Sequence, residues 1–523
     1  MVSRRFVVLL VLICSVVLDT NAAPKAEFAG LDRKWQRYES PNFELYSHVS
    51  DSKSRQFLRR LELLRSFFSE MVRSREQRPN LVTVYCFGDV DDFLAYVPLA
   101  MRSEDRLAAF YLAGIDRSVI VVSPVRDDDD AQRIIFHEYV HHLSRVNGDQ
   151  AALWYTEGIA EFLSTIREDG KFLSVGLPIE EHVAFMRQTK LLPLESLFSV
   201  DHSSRNYNEA ERAGVFYAES WAMFHYWYSG QNRATPAQLA ARDRFFRLVR
   251  NETENGDPVK RRQLFEEFAQ MNYAEMVRTL QTYVRDGRYT WHHVPLPQIP
   301  PLETYRSAPV DWVEMRRRLA ELDLRVNRSP LAKLAMLDAC SQQPTDVRAH
   351  EILAAEAMKD GDLLQAKERW EQAVEAGTKN PSVFHELAAL EGEQWFSRLD
   401  FDFELPLATA DHLRQLLYQS IQSVPSQTQA YEILAWVEAT VKTPSPKNIN
   451  LVQQQLPSLK TRSRTLLALA LVRIKLGDNA TAGVMLDQVD KEAETKTATE
   501  WSAQIRRYLK RRENAPAKTP DAD

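Results

Sequence analysis

The phrase Ala349-His-Glu-Ile-Leu-Ala354 returns as Ala430-Tyr-Glu-Ile-Leu-Ala435, and the Leu-Ala pair inside it also stands at Leu387-Ala388 and Leu469-Ala470. The Leu-to-Leu spacings are 34, 47 and 35. A period of that size restricts the fold severely. Each unit is a helix pair whose apolar face only the next pair can bury, so the units must stack. Gly361, Ala366, Trp370 and Ala373 follow the first Leu-Ala pair at the same offsets at which Gly477, Ala482, Leu486 and Val489 follow the last. Composition agrees with a helical chain. The 523 residues include 16 glycines, about 3%, less than half the usual share near ~7%, which disfavours a turn-dense all-β fold.

Two of the three spacings match the period of tetratricopeptide repeats, and residues 310–510 resemble that family, with an insertion near Trp395 to Pro406 filling the longer interval. The resemblance implies an all-α repeat domain that binds a protein or peptide partner. A plainer alternative is a helical buttress covering an apolar flank of the preceding domain. Residues 511–523, rich in Ala, Pro, Lys and Asp, read as a disordered tail.

Ahead of the repeats, Pro295 to Pro301 holds four prolines, so 291–309 is expected to be an extended linker and a domain boundary. The adjacent His292 and His293 point opposite ways on an extended chain and read as linker polarity. Between the N-terminus and the linker the pattern changes once. Residues 24–125 mix strands (Asn42–Ser47, Leu81–Phe87, Ser118–Val122) with a helix striped by Phe57, Leu61, Leu64, Phe68 and Met71, whereas 126–290 reads as helical throughout. The expectation is an α+β domain, a small sheet lobe plus a helical lobe, followed by the all-α repeats.

Residues 1–22 have the order of a secretory signal: Arg4-Arg5, an apolar run from Phe6 to Leu18, then Thr20-Asn-Ala-Ala23. The run is too short for a comfortable bilayer span of ~20 residues. Export to the periplasm or medium is expected, with membrane tethering if the signal stays uncleaved and no integral span once it is removed. Cys14 lies in that segment, leaving Cys86 and Cys340, which form no disulfide framework. With 66 basic and 72 acidic side chains and a net charge of −6, no polyanion-binding excess exists and nucleic acid is not an expected partner.

One motif names a chemistry. His137-Glu138-Tyr139-Val140-His141 continues a helical pattern begun by Arg133-Ile-Ile-Phe136, so His137 and His141 project from one helix face and can share one Zn²⁺. Glu138 lies about 100° round the helix, beside the metal, where a carboxylate can take a proton from bound water. A third ligand is needed, and Trp154-Tyr-Thr-Glu157-Gly-Ile-Ala-Glu161-Phe162 offers two acids four apart. The turn at Asn147-Gly148-Asp149 allows either one to return to the histidines. Asp127 to Asp130 precede the helix and suit its N-terminal dipole better than a calcium loop. His142 and His225 read as structural.

These residues resemble the gluzincin zinc metallopeptidases, in which a His-Glu-x-x-His helix is followed by a second helix bearing Glu in a Glu-(Gly or Ala)-(aromatic or aliphatic)-small context. The resemblance makes Glu157 the third ligand and gives Glu161 the orienting role on a zinc-bound His, although Glu161 better fits the family's usual separation. Ser40-Pro-Asn-Phe-Glu-Leu-Tyr46, the helix from Ser54, the His137 and Trp154 motifs and Tyr217-Ala-Glu-Ser-Trp221 are also similar to the peptidase-MA-like, DUF1570-type group over about residues 35–230. That implies an exported peptidase with Glu138 as base, acting on a peptide or protein substrate. Tyr217 is either an oxyanion donor or a member of a core stripe with Trp221 and Tyr228. The competing expectation is an inactive peptidase fold serving as an interaction scaffold.

Overall fold

Three short strands of almost unbroken apolar residues form the centre of the N-terminal half: β2 (Phe43–Ser47), β3 (Val82–Cys86) and β5 (Ser118–Val122). They run parallel in the order β5-β3-β2, and β1 (Gln36–Glu39), β4 (Ala109–Leu112) and β9 (Arg306–Pro309) add antiparallel edges to give the sheet β4-β5-β3-β2-β1-β9. The computed structural model describes residues 27–72, 82–101, 107–112, 117–123, 128–146, 151–201, 204, 210–229, 235–250, 257–327, 329–397, 399–401, 403–424, 428–456, 459, 462–492 and 495–513. The signal at 1–22, Asp127, the turn at 147–149 and the last ten residues of the expected tail lie outside these. So does residue 14.

Side chains on a strand alternate between faces, and here each face has its own core. Leu45, Val84, Ile120 and Val122 pack with Leu58, Leu61, Leu64 and Phe68 of α1 (Asp51–Val72) and with Phe136 and Val140 of α3 (Asp128–Val146). Tyr46, Tyr85, Val119 and Val121 face the other way. They pack with Met315, Leu319 and Leu322 of α11 (Trp312–Asn327), Ala335 and Met336 of α12 (Pro330–Gln342), and Ile352 and Leu353 of α13 (Val347–Asp360). α2 (Val90–Leu94) adds Phe93 to this second core.

The proline-rich segment is therefore more than a linker. It is extended, as proline dictates, but β9 pairs with β1 from Gln36–Pro309 to Glu39–Arg306, and β8 (His292–Pro295) pairs with β7 (Phe172–Val175). The line drawn at 291–309 runs between two strands embedded in the N-terminal sheets, and the helices after it complete the sheet's core. A polar network fixes the contact. Arg318 lies 4.8 Å over the Tyr46 ring and 3.6 Å from Glu44, Tyr85 Oη donates to the Arg318 carbonyl at 3.3 Å, and Arg325 donates to the Arg117 carbonyl at 3.1 Å.

The all-helical expectation for 126–290 is also corrected. β6 (Arg167–Asp169) and β7 form a hairpin that β8 extends to three strands. Three- and four-residue strands are too short for an alternation pattern to stand out. The rest of this region is helical: α4 (Leu153–Ser164), α5 (Glu180–Gln188), α6 (Leu194–Phe198), α7 (Ala210–Tyr228), α8 (Pro236–Arg250), α9 (Pro258–Ala269) and α10 (Tyr273–Asp286).

From α13 onward the chain is a stack of helices: α14 (Leu363–Glu375), α15 (Pro381–Phe396), α16 (Leu407–Ser423), α17 (Thr428–Thr440), α18 (Pro446–Gln455), α19 (Ser463–Lys475), α20 (Asn479–Glu492) and α21 (Lys496–Glu513). Successive helices pack on one another from α13 to α18 and again from α19 to α21, and α15, α17, α19 and α21 also lie side by side. The repeated offsets have one physical meaning. Gly361 and Gly477 end their helices with φ of 77° and 79°, a left-handed turn that glycine adopts without steric cost. Ala366, Trp370 and Ala373 are buried, as are Ala482, Leu486 and Val489. The molecule is thus mostly helical with a small mixed sheet and a helical-repeat second half.

Candidate metal centre

α3 and α4 pack against each other and present their acids and imidazoles to a common point. Helix α4 is held close by its glycine. A Cβ on Gly158 would stand 2.7 Å from the Ser220 carbonyl of α7, so only glycine lets α7 approach at this level. That contact sets Glu157, the preceding residue, which is almost wholly buried.

The donor atoms converge. His141 Nε2 lies 3.0 Å from His137 Nε2 and 3.1 Å from Glu157 Oε2, and His137 Nε2 lies 3.2 Å from the same oxygen. Among the described residues, these three form the one group of His, Cys, Asp or Glu arranged to hold a metal ion. Three ligands at ~2.0–2.1 Å from a tetrahedral ion stand roughly 3.3–3.4 Å apart, so the observed triangle needs only a few tenths of an ångström to accept zinc. Its chemistry is also incomplete without a positive charge. Burial disfavours a charged His137, yet Glu161, Glu157 and Glu138 outweigh it and push the imidazole up to about 9. Burial likewise opposes a charged Glu157, and hydrogen bonds from His137 and His141 overcome it, bringing the carboxyl down to about 2. The residues fit a divalent cation.

Glu161 occupies a different place. Its Oε1 lies 3.4 Å from His137 Nδ1, the nitrogen turned away from the triangle, and its Oε2 lies 3.4 Å from His182 Nε2 of α5. Burial raises its pKa, and the neighbouring His137 and His182 lower it further than burial raises it. Four residues on α4 separate the acid that faces the metal position from the acid that faces the back of an imidazole, which is what the helical pitch provides.

Glu138 and Tyr217 face one cleft of about 520 Å³, together with His137, Glu161, His182 and Phe185. The Tyr217 ring centroid is 6.2 Å from that of His137. Trp221, one turn on, is fully buried, so the helix carries a core face and a cleft face that meet at this point. Sequence reasoning missed His182. It has no local motif and reaches the site only because α5 packs on α7. Replacing it with alanine is expected to weaken zinc binding by up to about tenfold, the low end of the cost of losing an outer partner of a ligand, because His182 touches Glu161 and not a ligand itself, with His182→Gln restoring part of the affinity. A chelator-competition titration reads this, and equal affinity in wild type and His182→Ala would remove His182 from the site.

The other histidines that the sequence singles out act elsewhere. His142 Nδ1 is 2.9 Å from Tyr111 Oη and 3.1 Å from Ser118 Oγ, tying α3 to β4 and β5. His225 Nε2 donates to the Gly176 carbonyl at 2.8 Å while its Nδ1 accepts from Tyr283 Oη at 2.7 Å, and burial lowers its pKa to about 4. His292 meets the Tyr228 carbonyl and His293 meets Ser174.

Glu219, two residues beyond Tyr217 and fully buried, is a further ionisable group that the sequence did not flag. Its Oε2 accepts the Leu192 N–H at 2.7 Å, and Oε1 has no partner among the described residues. Burial pushes its carboxyl up to about 8 against an ordinary 4.5, with the Leu192 bond pulling slightly the other way. The folded chain therefore holds a proton that the unfolded chain has released. This contribution to stability is full below pH 4.5 and is lost as pH rises through about 8. Glu219→Gln is expected to melt at a higher temperature than wild type at pH 8.5 and at nearly the same temperature at pH 4.5. Parallel pH profiles of melting temperature for the two proteins would refute the assignment.

No protein-family profile matches the chain, and no curated protein matches it. Among solved structures, one described as YrrB, a TPR protein with an unusual peptide-binding site, aligns at 16% identity over 35% of this chain and 89% of its own, with a TM-score of 0.29. Among the described residues, no helix is long and apolar enough to cross a membrane.

Proposed function

We propose that the chain is an exported zinc-dependent peptidase of gluzincin type, with His137, His141 and Glu157 holding the metal. The observation that carries this reading is the convergence of two imidazole nitrogens and one buried carboxylate within 3.2 Å of one another, beside a cleft that also contains Glu138. Bound there, zinc supplies Lewis-acid polarisation of a carbonyl and acidifies water. Glu138 takes the proton of the attacking nucleophile and returns a proton to the leaving amine. Tyr217, across the cleft, offers a hydroxyl to the developing oxyanion. Glu161, 3.4 Å from His137 Nδ1, places a negative charge beside that nitrogen and so favours the tautomer that leaves Nε2 free to ligate. Export is inferred from the signal-like order of residues 1–22.

The test is metal content and cleavage together. Purified full-length protein refolded with zinc should hold one equivalent by elemental analysis and should cut members of an unbiased peptide library, with loss on chelation and recovery on zinc return. Absence of stoichiometric zinc rejects the reading. Zinc without cleavage of any peptide leaves the site as a structural centre in an interaction scaffold.

A further inference from the structure

The connection between α15 and α16 is ten residues long, 397–406, where the corresponding turns after α13 and α19 take two and three, 361–362 and 476–478. Among its described residues, Leu399, Phe401, Phe403 and Leu405 pack on the helical core. Trp395 of α15, Trp436 of α17, Lys475 of α19 and Tyr508 of α21 line one pocket together with Leu399, Asp400, Phe401 and Phe403 of the connection, and form a row against which it lies. Phe401 stacks flat on Tyr508, with centroids 4.2 Å apart and planes at 5°. Phe403 stacks on Trp395 at 5.2 Å and 9°. Leu405 is buried, and its N–H donates to the Thr440 carbonyl at 3.1 Å.

Along the segment, Asp400 and Glu404 are exposed whereas Phe401, Phe403 and Leu405 are covered to differing degrees, the alternation of an extended peptide laid on a surface. Charge follows the same logic. Lys475 lines the same pocket and donates to the Val441 carbonyl at 2.9 Å. Burial lowers its pKa, and Glu404 on the segment is the acid that opposes this. A row of rings with one ammonium in it selects an extended ligand with apolar residues two apart and acids between them.

We propose that this row is a peptide-binding groove whose resident in the free protein is the chain's own segment 399–405, and that an acidic, aromatic segment of a partner protein replaces it. Among the described residues, the resident's contacts include two ring stacks and a backbone bond near its C-terminal end, contacts that a peptide of the same alternation reproduces. Because the resident is tethered at both ends, it competes at a high effective concentration, of order millimolar for a short tether. External peptide thus binds the native chain weakly, and removing the resident exposes the full affinity.

The experiment uses the full chain with Leu399–Glu404 replaced by a Gly/Ser stretch of equal length, and a second variant, Phe401→Ser/Phe403→Ser, that keeps the native length and charge. The probe is a fluorescein-labelled peptide of sequence Leu-Asp-Phe-Asp-Phe-Glu-Leu, read by anisotropy, with a control peptide carrying serine at both phenylalanines. Both variants should bind the probe at least about tenfold tighter than the native chain, the control should not bind, and Tyr508→Ala in either background should reverse the gain. Folded variants that bind no tighter than the native chain overturn the proposal. So does failure of both variants to fold, since the segment would then be a core element and not an occupant.

Discussion

A chain ended after Pro301 is expected to be insoluble, or to recover only as aggregate, although it contains every residue of the metal centre. The cut removes β9 from the sheet edge and strips α11 to α13 from its far face. Tyr46, Tyr85, Phe87, Phe93, Val119 and Val121, all buried in the intact protein, become exposed together. At ~1.5–3 kcal/mol for each large apolar side chain, the loss is on the order of 10 kcal/mol, comparable to the whole stability of an ordinary domain. Arg318, Arg325 and the hydroxyl partner of Tyr85 leave with the helices, so Glu44 loses the Arg318 cation at 3.6 Å and keeps Arg117 at 3.2 Å. A chain ended after Gly377, which retains β9 and α11 to α14, keeps this core and should be soluble. Soluble yield, circular dichroism and a melting transition decide. A soluble 27–301 fragment with a cooperative melt would show that the two halves fold independently.

This expectation reverses the boundary that the prolines suggest, and the reason is physical. Pro295 to Pro301 says that the backbone is extended, which it is. It cannot say whether an extended backbone is free or lies against a neighbouring strand. The strands 43–47, 82–86 and 118–122 were legible because β-branched and aromatic residues crowd them. Yet a strand buried on both faces is apolar at every position, and such a run does not reveal that Leu45 and Tyr46 look into different cores. The repeats were legible for the opposite reason: their offsets recur, and recurrence at Gly361 and Gly477 is independent of any one local pattern.

At the candidate site, the helical pitch made His137, His141 and the pair Glu157 and Glu161 readable, because four-residue spacing translates directly into a shared face. The placement of Glu157 among the imidazoles depends further on Gly158 meeting Ser220, a contact between helices far apart in sequence. His182 and Glu219 are of that kind too. His182 sits in no motif, Glu219 lies inside the Tyr217–Trp221 segment without being singled out there, and each takes its meaning from a neighbour on another element, Glu161 in one case and Leu192 in the other.

Glu138→Gln separates the chemistry proposed here from the architecture that holds it. Glutamine keeps the shape and hydrogen-bonding reach of glutamate but has no basic oxygen near neutral pH. Glu138 is not one of the three converging donors, so the variant should bind zinc as wild type does. It also faces the cleft and not the core, so the melting temperature should change little. Proton transfer is the function it loses, and turnover is expected to fall about 10²- to 10⁴-fold at unchanged zinc stoichiometry. His141→Ala gives the contrasting result, losing zinc and turnover together. Undiminished turnover in Glu138→Gln would remove Glu138 as the base, and loss of zinc in that variant would place its carboxylate on the metal instead. Because the amide also lifts a negative charge from beside His137, titrations of zinc affinity at several pH values separate a small electrostatic change from the loss of a ligand: the first shifts the curve, the second abolishes stoichiometric binding at every pH.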